Sequence, residues 1–190
     1  MVKKGYRPKK VQYYLNIAKE IASRSTCMST IVGVIIVKDD QIIATGYNGA
    51  PRKTKDCYER GFCLRRELNI PSGQNYEICR SVHAEQNAII NAARSGVNIM
   101  GADMYMWGMK IWQGANELID ALPCFICKKI VINSGLKNFY YSDSEGKIKK
   151  INIERDWVQR WKRKDLLEDI EKYNAGFYKE LKKIDKKYSK

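Results

Sequence analysis

The chain has a single histidine, and its setting is specific. His83 stands in Ser81-Val82-His83-Ala84-Glu85, and downstream comes Pro123-Cys124-Phe125-Ile126-Cys127. A catalytic zinc takes three protein ligands and keeps one position for water. His83, Cys124 and Cys127 supply that count. Two thiolates spaced Cys-x-x-Cys at the start of a helix can meet one ion, and the positive end of the helix favours thiolate over thiol. Pro123 suits entry into such a helix. Glu85 is left over from the ligand set. A bound zinc brings the pKa of water toward neutrality, and one carboxylate beside it can carry the protons of a hydrolysis.

The competing reading is a closed structural zinc with a fourth ligand, Glu85 being an ordinary acid in the first turn of a helix. A bare Cys-x-x-Cys would leave that reading strong. Here the His-x-Glu element, the Pro-Cys-x-x-Cys element and a helix behind each agree, and together they form the known signature of zinc-dependent nucleobase deaminases. Nucleophilic catalysis by serine or cysteine needs a basic partner, usually histidine. The sole histidine is already committed.

The elements that must position these residues follow from periodicity. Val11, Tyr14, Leu15, Ala18, Ile21 and Ala22 recur at helical spacing over 11–24. Residues 30–37 form a β-branched strand, 38–41 a short hairpin connection and 42–46 a second, antiparallel strand. Residues 54–81 have no sustained period, and a loop that long needs a function or a metal to order it. Helical spacing returns over 82–95, with Gly96 as its stop. A strand at 102–107, an irregular stretch at 108–122, a helix at 124–133, a strand at 137–141 and a charged amphipathic helical segment at 153–187 complete the order. This predicts an α/β fold of three layers, α/β/α, whose mixed sheet opens with an antiparallel hairpin and continues through right-handed β-α-β crossovers. With no internal repeat and no Gly/Ser linker, residues 1–190 read as one domain with a basic helical extension from about 150.

Composition sets outer bounds. The net charge is +14, with much of the excess at the two ends. That favours anionic partners such as nucleotides, and equally fits a solvated lysine-rich surface. The longest apolar run, 31–37, has the length of a buried strand and not of a membrane span. No secretory leader is apparent, so a cytoplasmic location without membrane attachment is expected. Six cysteines in that setting argue for metal binding or reduced thiols. Removing Cys124 and Cys127 leaves Cys27, Cys57, Cys63 and Cys79, the right number for a closed structural zinc; four reduced thiols with no metal is the plain alternative.

Arg24-Ser25-Thr26-Cys27, the run 32–37, Ile43-Ala44-Thr45-Gly46-Tyr47-Asn48-Gly49 and Arg80-Ser81-Val82-His83-Ala84-Glu85 together resemble the deoxycytidylate (dCMP) deaminase family over roughly residues 17–141. The resemblance implies a cytidine-deaminase-like fold and zinc-dependent hydrolysis of dCMP to deoxyuridylate and ammonia, supplying thymidylate synthesis. It implies that Asn48 contacts the sugar or base and that Arg24 and Ser25 lie near the 5′-phosphate. Under the same resemblance Arg52 and Arg80 are further candidates for the phosphate and Ala84 joins the substrate set, while each single arginine reads equally as a solvated or structural charge. It places Cys27 and Cys57 at ligand positions of a second zinc found in some microbial and phage members, with Cys63 and Cys79 completing that set. It further implies a homo-oligomer, and brings into view regulation by dCTP and dTTP with magnesium at a second nucleotide site, although no motif here decides that regulation.

Two stretches depart from the family pattern. Residues 107–122 intervene where members have a short turn, and 71–76 form a further excursion. Trp107 and Trp112 are read two ways, as aromatics of a lid over the pocket or as core residues capping a longer loop. Two other readings stay open: a deaminase acting on another cytosine or adenine substrate, including a base in single-stranded nucleic acid, and a non-catalytic protein that binds through a deaminase fold. The basic tail favours nucleic acid slightly. Its aromatics, Trp157, Trp161, Tyr173, Phe177 and Tyr178, instead fit a helix packed on the domain.

Overall fold

The computed structural model describes residues 7–163. Helix α1 (Lys10–Ala22) leads into strand β1 (Thr30–Lys38), which turns into β2 (Gln41–Tyr47). Two short helices follow, α2 (Cys57–Arg60) and α3 (Leu64–Glu67), then helix α4 (Ala84–Arg94) and strand β3 (Asp103–Lys110). A two-residue strand β4 (Glu117–Leu118), helix α5 (Phe125–Asn133), strands β5 (Asn138–Ser142) and β6 (Ile148–Asn152), a π-helical segment (Ile153–Val158) and helix α6 (Gln159–Arg163) complete the order.

The sheet runs β2-β1-β3-β5-β6, with β4 paired to β3. β1 is antiparallel to both β2 and β3, so β2 and β3 run the same way and α4 crosses between them. β3 and β5 are parallel and joined through α5. The hairpin closes on Asp39 and Asp40, both with positive φ (49° and 63°), the backbone that a two-residue turn requires and that aspartate tolerates.

The β-branched run of β1 is buried on both sides. Ile35 and Val37 face α1, where Tyr14, Leu15 and Tyr105 join them. Val32, Val34 and Ile36 face the larger core under α4 and α5, with Met104, Met106, Val131, Phe139 and Trp157. Two glycines let the helices come down onto the hairpin. A Cβ at Gly33 would lie 2.0 Å from the Ala18 carbonyl of α1, and one at Gly46 would lie 2.3 Å from the Ala88 amide of α4. The small face of α4, Ala84, Ala88 and Ala92, seats it directly on the sheet. The three-layer arrangement expected from the order of elements is present.

Several local expectations need correction. Residues 54–81 are not continuous loop. Asp56 caps α2 through a reciprocal capping box with Glu59, and Gly61 ends it in the left-handed region; both helices are too short to show a period. Residues 108–110 are not irregular but continue β3, paired with residues 30–32 of β1. The chain then returns as β4, with Met109 opposite Leu118. Strand β6 was hidden in the lysine-rich stretch because its residues Ile148, Lys149 and Lys150 are exposed at a sheet edge. In the expected C-terminal helix, residues 153–158 form a π-helical turn before α6; the part beyond 163 lies outside the described residues. Among the described residues no helix is long and apolar enough to cross a membrane.

Candidate metal centre

Two helix starts meet at one point. α4 begins just after Val82, which is bridged to Gly49: the Gly49 amide donates to the Val82 carbonyl at 3.1 Å and the Val82 amide donates to the Gly49 carbonyl at 2.8 Å. The turn after β2 therefore sets the entry of α4. His83 occupies the cap position, and its backbone N–H donates to Gln86 Oε1 at 3.2 Å. Cys124 occupies the cap position of α5, its carbonyl accepting from the Lys128 amide at 2.8 Å, and Cys127 lies one turn on, fully buried. Both thiols thus sit in the positive end of a helix.

His83 Nδ1 lies 3.4 Å from the sulfur of Cys124 and 3.4 Å from that of Cys127. All three ligand atoms fall within 4.8 Å of one another. A tetrahedral zinc with ordinary Zn–N and Zn–S bonds would separate nitrogen and sulfur by about 3.5 Å. The spacing fits, and two soft thiolates with an imidazole are a zinc donor set.

The hydrogen bond from Cys127 holds Cys124 down to about 4 against the opposing effect of burial, and His83 adds to the lowering. The same bond and burial push Cys127 up. Burial pulls His83 toward the neutral form, but its hydrogen bond to Cys124 and the charge of Glu85 outweigh that and raise it. Glu85 is only 2% exposed, and burial lifts its carboxyl to about 6, partly offset by His83. It stands in the first turn of α4, beside the ligand atoms and outside the set of three.

The other expected site residues fall into separate groups. Ser25 and Asn48 are both buried and joined: Ser25 Oγ donates to Asn48 Oδ1 at 2.7 Å, Val32 N–H donates to the same oxygen at 2.9 Å, and Asn48 Nδ2 donates to the Thr30 carbonyl at 2.7 Å. Asn48 thus ties β1 to the turn that positions His83. Arg24 is exposed beyond α1. Arg52 donates to Asn91 Oδ1 at 2.5 Å on α4, and Arg80 to the Phe62 carbonyl at 3.1 Å with its guanidinium over the Phe62 ring. Ala84 is buried under the first turn of α4.

Cys27, Cys57 and Cys63 are buried and Cys79 is half-buried, all as free thiols. Burial first, then the proximity of Cys27 and Cys63, raises the thiols of Cys57 and Cys79. Among the described residues these four do not gather as tightly as the His83 group.

Of the two tryptophans in the departure at 107–122, Trp107 is a core residue, packed with Ala18 and Ala22 on the α1 face, away from α4. Trp112 lies under the guanidinium of Arg66, 5.7 Å away. Sequence reasoning missed Tyr76 and Arg65. The Tyr76 ring stands perpendicular to the His83 imidazole, centroids 4.8 Å apart, and the Arg65 guanidinium lies over the Tyr76 ring, 4.5 Å from its centroid. No spacing rule points to either residue, since they reach His83 through a loop.

Comparison with known proteins agrees with this geometry. The family described as the cytidine and deoxycytidylate deaminase zinc-binding region matches residues 8–143. Deoxycytidylate deaminase of Saccharomyces cerevisiae is 34% identical over 138 residues, covering 73% of this chain and 39% of the yeast protein, so the chain spans about two fifths of that relative's length. Deoxycytidylate deaminase of Mycobacterium phage D29 is 32% identical over 140 residues, covering 71% of this chain and 95% of the phage protein. The crystal structure of dCMP deaminase from the cyanophage S-TIM5 in apo form superposes with a TM-score of 0.51 at 26% identity, covering 73% of this chain and 86% of that one. With its paired helix starts, its His/Cys/Cys group and the buried acid beside it, the chain belongs to the cytidine and deoxycytidylate deaminase zinc-binding family.

Proposed function

We propose that the protein hydrolyses dCMP to deoxyuridylate and ammonia, supplying thymidylate synthesis. The observation that carries this reading is Glu85, a buried acid beside three ligand atoms and not one of them. Its relatives bearing the name deoxycytidylate deaminase support the choice of substrate. His83 Nδ1, Cys124 and Cys127 would hold a zinc ion, which supplies Lewis acidity and a lowered pKa for water. Glu85 accepts a proton from the attacking water as its oxygen bonds to the amine-bearing carbon and delivers it to the adjacent ring nitrogen; it then takes the second proton from the resulting hydroxyl and passes it to the amine as the carbon–nitrogen bond breaks. Water and dCMP in, deoxyuridylate and ammonia out, close the balance. Burial keeps that carboxyl in a range where it both accepts and returns a proton near neutral pH.

A second, structural zinc would gather Cys27, Cys57, Cys63 and Cys79, four free thiols of which three are buried and the fourth half-buried. The substrate contacts would be Asn48, Arg24, Ser25, Ala84, Arg52 and Arg80, with regulation by dCTP and dTTP, magnesium entering only with such a nucleotide. The chain would act in the cytoplasm as a homo-oligomer, residues 1–190 forming one domain with the segment from about 150 as an extension. A panel of dCMP, CMP, dCTP, deoxycytidine and short single strands, read as ammonia release, tests the substrate. Turnover of dCMP above the others is expected; turnover of oligonucleotides alone would overturn the reading.

A further inference from the structure

We infer that Tyr76, held by Arg65, is a positioning residue for the His83 ligand, so that the excursion at 71–76 is part of the metal centre. The inference rests on reading His83, Cys124 and Cys127 as the zinc-binding group. It begins with α3, where two adjacent arginines take opposite tasks. Arg65 reaches the excursion. Its Nη2 donates to the Pro71 carbonyl at 2.8 Å, and its Nη1 donates to the carbonyls of Asn75, at 2.8 Å, and Gln74. Three backbone oxygens on one planar fork fix the loop more firmly than a single ammonium could. The same guanidinium covers the Tyr76 ring, and the Gly73 amide donates to the Tyr76 hydroxyl at 3.1 Å. The loop is thereby folded back so that the half-buried Tyr76 ring reaches His83.

That ring meets His83 at 88°, the edge-to-face arrangement that aromatic pairs prefer. A metal-binding histidine is normally oriented by a hydrogen bond from its second ring nitrogen to a carboxylate or carbonyl. Among the described residues the imidazole bonds only to the two sulfurs, both through Nδ1. The orienting surface is the Tyr76 ring. It stops rotation of the imidazole about its side-chain axis and keeps Nδ1 aimed between Cys124 and Cys127.

Arg66 turns the other way. Its Nε and Nη2 donate to Ser29 Oγ at 3.0 and 2.7 Å, and its guanidinium lies over Trp112. The amides of Ile111 and Trp112 donate to the Ser29 carbonyl. Arg66 therefore supplies an internal control, a neighbouring arginine of the same helix whose partners lie outside the excursion.

The test is the rate at which the full-length, metal-loaded protein gives up its ion to excess chelator, followed with cobalt in place of zinc. The ligand-field bands of one imidazole with two thiolates differ from those of four thiolates, so the His83 group is read separately from the other cysteines. Tyr76→Leu, which keeps apolar bulk, and Arg65→Ala should each release cobalt about tenfold faster and shift the bands, the scale expected when the group orienting a ligand is lost. Tyr76→Phe should stay near the wild-type rate because the ring remains. Arg66→Ala should also stay there. Release from Tyr76→Leu at the wild-type rate would overturn the inference. So would equal acceleration by Arg66→Ala, which would reduce Arg65 to a general support of α3. Release is measured without substrate, so its result is independent of the substrate panel.

Discussion

Gly46 lies so close beneath Ala88 that a single added carbon would sit 2.3 Å from the Ala88 amide nitrogen. That contact seats α4, which carries Glu85 and begins at His83, on the second strand of the hairpin. Gly46→Ala must therefore move a helix backbone and not a side chain. A loss of about 3 kcal/mol is expected from such overpacking, read as a lower urea midpoint, together with faster metal release. An unchanged midpoint would mean α4 can slide without cost.

Asn48 is a structural crosspiece before any role it has toward substrate. Replacing it by alanine leaves the Val32 N–H without its acceptor and takes the Asn48 donor from the Thr30 carbonyl in a buried place, while the Ser25 hydroxyl keeps the Asn48 backbone carbonyl. Asn48→Ala should cost about 2 kcal/mol in the absence of any nucleotide. If unfolding is unaltered and only the Michaelis constant rises, the side chain serves substrate alone.

The pH dependence of stability has a signature at the hairpin. Tyr14 Oη donates to Asp40 Oδ1 at 2.6 Å and Lys10 Nζ donates to Asp40 Oδ2 at 2.6 Å. The bond from Lys10, then that from Tyr14, holds Asp40 below its usual range, and the bond to Asp40 with burial raises Tyr14 to about 12. Asp40 contributes stability above the ordinary carboxylate pKa and loses it as pH falls through its lowered value. Tyr14 contributes fully below the unfolded value of about 10 and loses its contribution as pH rises toward 12. The stability gap between wild type and Asp40→Asn should therefore be widest between about pH 5 and pH 9 and narrow at both extremes. Urea midpoints across that range measure it, and a constant gap would contradict the assignment.

Trp157 fastens the π-helical segment to the core. Its ring lies 5.6 Å from that of Phe139 and carries Lys128 of α5 5.1 Å above it. Trp157→Ala should cost about 3 kcal/mol by opening a cavity beside the helix that bears Cys127. A cost under about 1 kcal/mol would show that the segment rests on the domain without supporting it.

Much of this arrangement could be read in the chain because its signals are local. His83-Ala84-Glu85 and Cys124-Phe125-Ile126-Cys127 are short patterns whose residue types have little use together except around a metal, and the β-branched run of β1 declares a buried strand. What stayed hidden depends on distance. Tyr76 reaches His83 only because Arg65 folds a loop that has no period of its own. β6 is an edge strand, so its lysines face water and mask the alternation. Trp107 could be taken for a lid because the number of residues in a strand is set by its partner, and β1 is long enough to draw β3 out to Lys110.

In the proposed reaction Glu85 moves the protons while His83, Cys124 and Cys127 hold the metal. The most direct measurement is ammonia release from dCMP by Glu85→Gln alongside the bound zinc of the same preparation. A fall in kcat of about 10³-fold or more, with zinc content equal to wild type, is expected. Turnover near wild type in the zinc-loaded variant, or loss of the ion with the carboxylate, would contradict it.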